Sequence, residues 1–172
     1  MLSWLRIINK PEVSTSIKWC YQVLVMFIAT LMMFFAYASL LTPMGSVGIV
    51  SLIGTAGVET IILLILRSLH KTRYILTERE LHIETTKLIG GEKRIPVEEI
   101  QSVEKTLIPL GIKLFGASFH GGYYNIPGLG GAFLAITNFK DGLLIRTQKR
   151  SYIITPKDPF SFKDAIETNI YT

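Results

Sequence analysis

The 172-residue sequence holds one cysteine and three histidines. A single cysteine, Cys20, excludes an intrachain disulfide framework and a cysteine-based zinc site, and leaves the redox compartment open. His70, His82 and His120 fall in different stretches without the spacing of metal ligands, so no metal site is expected. Also missing are an H-E-x-x-H helix, a nucleophile elbow and a P-loop. The expectation is therefore a protein without catalytic residues or cofactor. Charge is scarce over one long region: from Trp19 to Leu66 the only charged residue is Glu59. The net charge of +5 is too small and too dispersed to suggest nucleic acid.

That region is filled with apolar residues. One run extends from Trp19 to Leu41, a break comes at Leu41-Thr42-Pro43, and a second run continues from Val47 to Leu66. Each is as long as the ~20 residues a helix needs to cross ~30 Å of hydrocarbon. Two such spans with a short link form a helical hairpin, because in lipid every backbone polar group must be satisfied within its own segment. Arg6, Lys10 and Lys18 precede the first run; Arg67, His70, Lys71 and Arg73 come after the second; the link Thr42–Ser46 is uncharged. The positive-inside rule then predicts a two-span protein of the cell membrane with both termini cytoplasmic. A cleaved signal peptide ending at Ala36-Tyr37-Ala38 is the competing reading, but the apolar run is long and a second comes at once.

Three segments result. Residues 1–18 form a cytoplasmic or interfacial N-terminal segment, 19–66 the transmembrane hairpin, and 73–172 a cytoplasmic domain. In the first, Leu2, Leu5 and Ile8 have helical spacing, which suits either a short interfacial helix stopped by Pro11 or a segment resting on headgroups. In the hairpin, Gln22, Ala29 and Ala36 recur every seven residues, and Ser51, Thr55 and Glu59 share one face with Gly48 nearby. Small and polar residues let helices approach and hydrogen-bond in lipid. A carboxylate at the depth of Glu59 must face protein or water. The expected role is an intramembrane polar contact, for instance a protonated Glu59 bonded to Gln22 or to a partner helix, in preference to an ion pathway.

From Tyr74 the pattern alternates. Strands are expected at 73–77, 80–86, 93–96, 102–107, 132–137, 143–147 and 152–155, with a helical turn at 97–101. The Gly-rich, aromatic stretch 108–131 is expected as a long loop. Asp158 and Pro159 open a final helix with an apolar stripe of Phe162, Ala165, Ile166 and Ile170. The fold class is thus two transmembrane helices plus a mainly-β domain, a seven-stranded antiparallel barrel or sandwich capped by a C-terminal helix.

Two stretches carry a resemblance. One is Tyr74-Ile-Leu-Thr-Glu-Arg-Glu-Leu-His-Ile83 followed by Arg94-Ile-Pro-Val-Glu-Glu-Ile-Gln-Ser-Val103. The other is Gly122-Tyr-Tyr-Asn-Ile-Pro-Gly-Leu-Gly130, then Ala135-Ile-Thr-Asn138, Leu144-Ile-Arg-Thr147 and Tyr152-Ile-Ile-Thr-Pro-Lys-Asp-Pro159. In order and spacing they resemble the prokaryotic pleckstrin-homology-like (PH-like) domains over roughly 73–170. The resemblance implies a membrane-anchored member of a non-enzymatic family of binding or assembly modules, with no catalytic residues to carry over. A PH fold by itself does not license phosphoinositide binding.

The glycines at 116, 121, 122, 128, 130 and 131 lack the strand–loop–helix context of a phosphate cradle and are read as structural. The rings of Phe115, Phe119, Tyr123 and Tyr124 are expected to pack over the barrel end. The sharper reading makes Phe119, Tyr123 and Tyr124, with Lys140, Lys149 and Arg150 at the strand turns, contacts to lipid or to a partner. The expected function is protein interaction or homo-oligomeric assembly at the cytoplasmic membrane face. Its partners are membrane lipids and another copy or membrane protein. The alternatives are recognition of anionic lipid headgroups by the barrel and a transporter or channel subunit using Glu59.

Overall fold

The computed structural model describes residues 7–41, 45–116 and 120–170. It divides into two compact units, 15–67 and the combination of 7–14 with 68–170. The first is two helices, α1 (Thr15–Leu41) and α2 (Gly45–His70). Both are long and apolar enough to cross a membrane. Their large side chains face outward: Met26, Phe27, Met33, Phe34, Ile49, Val50 and Ile53 are all exposed. Helices that show apolar residues all round need an apolar solvent. Near the link they approach closely, since a Cβ on Gly48 would collide with the Ser39 hydroxyl.

The second unit is built from ten strands: β1 (Ile7–Asn9), β2 (Arg73–Leu76), β3 (Glu80–Glu84), β4 (Lys93–Pro96), β5 (Ile100–Thr106), β6 (Ile112–Phe115), β7 (Gly121–Ile126), β8 (Gly130–Ala135), β9 (Gly142–Thr147) and β10 (Ser151–Ile154). They form a four-stranded sheet ordered β1-β2-β3-β4 and a six-stranded sheet ordered β5-β9-β10-β8-β7-β6. All pairs are antiparallel except β10 with β8. Of the expected seven-stranded barrel or sandwich, the strand number and the barrel are corrected, because the described residues form ten strands and the two sheets do not close. The difference has two sources. The glycine-rich stretch expected as a loop forms β6, β7 and the start of β8, since glycine offers no side chain to alternate and so hides a strand from a period-two reading. The N-terminal segment, expected either as a short interfacial helix or as a segment resting on headgroups, contributes β1 along the edge of β2, with Ile7 opposite Leu76 and Asn9 opposite Tyr74. That pairing satisfies edge backbone groups that a helix would leave to water. Leu2 and Leu5 lie outside the described residues.

The alternation produces two cores. Tyr74, Leu81, Ile83 and Ile95 of one sheet meet Phe133, Leu143, Ile145 and Ile154 of the other, with Phe162 and Ile166 of the last helix, α3 (Pro159–Ile170). On the opposite face of the larger sheet, Tyr124, Ile126, Leu134, Ile136, Leu144 and Ile153 form a second cluster, with Ile108 and Leu129 against it. The Tyr74 hydroxyl ties the unit together, donating to the Ala135 carbonyl at 2.7 Å and accepting from the Thr155 N–H at 3.3 Å. Burial pushes its pKa up to about 12. Asp158 caps α3 as expected, accepting from the Phe160 and Ser161 N–H groups at 3.1 Å each. The Ser161 hydrogen bonds hold its carboxyl below the usual range.

Candidate functional site

Strand β7 sends Tyr123 and Tyr124 to opposite faces. Tyr123 meets the Phe133 ring edge-on at 5.3 Å, and Phe133 meets Tyr152 at 6.1 Å. Tyr124 joins the second core. The turn between β9 and β10 is fixed by Thr147, whose hydroxyl accepts from the Lys149 and Arg150 N–H groups at 3.3 and 3.2 Å and donates to the Arg150 carbonyl at 2.9 Å. The parallel pairing of β10 with β8 sets Ser151 beside Ala132, which itself pairs with Tyr124. The turn's basic residues thereby arrive next to the two tyrosines. Gly131 leaves the space beside it open.

The result is a cleft of about 230 Å³ lined by Leu114, Tyr123, Tyr124, Gly131, Ala132, Lys149 and Arg150. Cations surround its rings. The Arg150 guanidinium lies 5.1 Å from the Tyr123 centroid and the Lys93 ammonium 5.6 Å from it. Lys113 lies 5.8 Å from the Tyr124 centroid. Such contacts hold cations in place by the ring quadrupole. Glu99 steers Lys149 through a 2.9 Å ion pair. Burial lowers the Lys113 pKa and raises that of Tyr124. Among the described residues the lining offers cations and aromatic rings and no carboxylate, histidine or thiol. Tyr123 also borders a second groove of about 230 Å³ with Lys87, Gly90, Gly91, Phe115, Gly116 and Gly122.

Of the residues singled out in the sequence, Tyr123, Tyr124, Lys149 and Arg150 meet at this cleft. Lys140 does not: it sits in the β8–β9 turn, where the Asn138 side chain accepts its N–H at 3.0 Å. Phe119 lies outside the described residues. Lys93, Lys113 and Leu114 were not anticipated. For Lys113 and Leu114 the signal is a run of 36 residues, Lys105–Lys140, without a single Asp or Glu; Lys93 lies outside that run. Also unanticipated is a groove of about 570 Å³ where Glu78, Glu80 and Glu98 gather beside Asn169 and Ile170. In the helical unit Glu59, Ser51 and Thr55 are half-buried and Gln22 is exposed. The Thr55 hydroxyl donates to its own helix, at the Ser51 carbonyl 2.9 Å away. Among the described residues no hydrogen bond joins Gln22 to Glu59.

His120 is buried against Phe139, ring centroids 5.3 Å apart. Burial, and then the charge of Lys113, lower its pKa to about 4. The unfolded chain, with the ordinary value near 6.5, binds the proton first as pH falls. Stability is therefore expected to drop between about pH 6.5 and about pH 4, and His120→Gln is expected to flatten that part of a stability-versus-pH curve. An unchanged slope refutes the role of this residue.

Two packed sheets with a helix across them, preceded by two apolar helices, define a PH-type module with the means for membrane association. The family of bacterial PH domains matches residues 72–170, and the chain belongs to it. That family is generally non-catalytic. Comparison with curated proteins and with solved structures gave no match.

Proposed function

We propose that the chain is a membrane-anchored, non-enzymatic module that recognises anionic lipid headgroups at the cytoplasmic face. The observation that carries this is the cleft, where Lys149 and Arg150 join Tyr123 and Tyr124, with Lys93 and Lys113 against the same two rings outside its lining. Each basic residue near an anionic leaflet contributes about 1 kcal/mol. An anchored domain needs only a weak site, because its local lipid concentration is high. The basic flanks of both apolar runs support the cytoplasmic placement.

The test is a titration of the full chain in detergent with short-chain phosphatidylglycerol, monitored by the ring signals of Tyr123. Saturable, salt-sensitive binding is expected, with phosphatidylcholine much weaker. Arg150→Glu is expected to weaken it by about tenfold or more. Equal response to both lipids overturns the reading. Homo-oligomeric assembly is the second reading, favoured by the groove where Glu78, Glu80 and Glu98 outnumber Arg79, on the same unit as a basic cleft. It requires a particle mass well above one 19.3 kDa chain, falling as salt is added.

A further inference from the structure

The connection after β5 and strand β6 form a surface at odds with the rest of the β-rich unit. Leu107, Leu110, Ile112, Leu114 and Phe115 are exposed by 76%, 94%, 72%, 55% and 73%. Five large apolar side chains thus stand in solvent within nine residues of chain. Strand β6 is also an end strand of its sheet. The other end strand, β5, is defended as an edge should be, with Gln101, Glu104 and Lys105 outward. The apolar strip is not a slack loop. Ile108 packs against the second core and lies close to Gly142, and a Cβ on Gly111 would press on Ile126 at 2.8 Å. These contacts pin the connection to the sheet while Leu107 and Leu110 are left outside.

Such a row marks an interaction surface, and its charge selects the occupant. Lys113 lies within it, Lys105 at its start in sequence is seated over the Phe160 ring at 3.3 Å, and the nearest carboxylates along the chain are Glu104 and Asp141. Apolar residues with cations and no interleaved acids match the headgroup–acyl boundary of an anionic leaflet. A second copy docked strip to strip would bring Lys113 towards Lys113 with no acid within the strip to offset them. We propose that residues 107–115 are a membrane-contact surface that seats Leu107, Leu110, Ile112 and Phe115 in the interface of an anionic bilayer. Leu114 continues it into the cleft, and the proposal rests on the reading that the module works at such a leaflet.

The experiment uses the full chain with Cys20→Ala, reconstituted in phosphatidylglycerol-containing nanodiscs. An environment-sensitive fluorophore is placed at Leu110→Cys, or at Gln101→Cys on β5 as reference. Blue-shifted emission at 110, mostly lost when the acyl chains carry a spin label, is expected, with the label at 101 unaffected. Emission at 110 that matches 101 overturns the proposal, as does an efficient 110–110 disulfide between two copies, which assigns the strip to self-association. Quenching at 110 alongside equal titration by phosphatidylglycerol and phosphatidylcholine overturns the cleft reading alone. Lipid selectivity without quenching at 110 overturns the strip alone.

Discussion

Ile153→Ala and Ile154→Ala are each expected to destabilise the β-rich unit by about 2–5 kcal/mol, read as denaturant midpoints of the full chain in detergent. From alternation alone only one of this adjacent pair should be core, because neighbouring residues of a strand face opposite sides. Both are 0% exposed. Ile154 faces the other sheet and α3 with Phe133 and Leu143, while Ile153 faces Tyr124, Ile136 and Leu144 on the far side. Strand β10 lies inside its sheet, between β9 and β8, and its two faces are covered, one by the first core and the other by the second cluster. Truncation on either side leaves a cavity that rigid neighbours cannot fill. One large and one small effect would show that the second cluster is not a packed core.

Gly122→Ala is expected to do comparable damage and to damage the candidate site with it. Gly122 has φ +111°, a conformation that side chains rarely adopt, and a Cβ there would collide with the Phe115 carbonyl oxygen. The obstacle is backbone of the paired strand β6 and cannot swing away. Overpacking of this kind costs about 1–3 kcal/mol, and the strained backbone adds about 1–3 kcal/mol. Gly122 immediately precedes Tyr123, so displacing β6 from β7 should also disturb the cleft. A lower unfolding midpoint together with weakened phosphatidylglycerol binding is expected. A variant as stable as the parent would mean that β6 is not held against β7 at this point.

Much of this was legible because local chemistry decided it. Leu81 and Ile83 alternate with His82 and Glu84, and the structure buries the first pair and leaves the second half-exposed. Asp158-Pro159 opens α3, and Phe162 and Ile166 bury its stripe. Where glycine replaced side chains, as at Gly121-Gly122 and Gly130-Gly131, the alternation that announces a strand was absent and β7 and the start of β8 went unread. Strand β1 was hidden for another reason. Ile7-Ile8-Asn9 carries no strong strand signal, and its partner β2 lies more than 60 residues away in sequence. The site divides in the same way. Tyr123, Tyr124, Lys149 and Arg150 stood out by residue type, but Lys93 and Lys113 reach them only through pairings that no local pattern encodes.

Residue order was enough to dictate the two apolar helices, the β-rich character of the chain after them, its terminal helix and its kinship with the bacterial PH domains. The helices and strands rest on hydrophobic run length, on periodicity and on capping, which act over a few residues; the kinship rests on the two stretches that resemble that family. Folding in three dimensions was needed to arrange the strands as two open sheets, to join β10 to β8 in parallel, and to bury both faces of the larger sheet. It also selected which cations gather at Tyr123 and left 107–115 standing out as an apolar edge. These features depend on strand order and register, which are set by contacts between residues far apart in the chain.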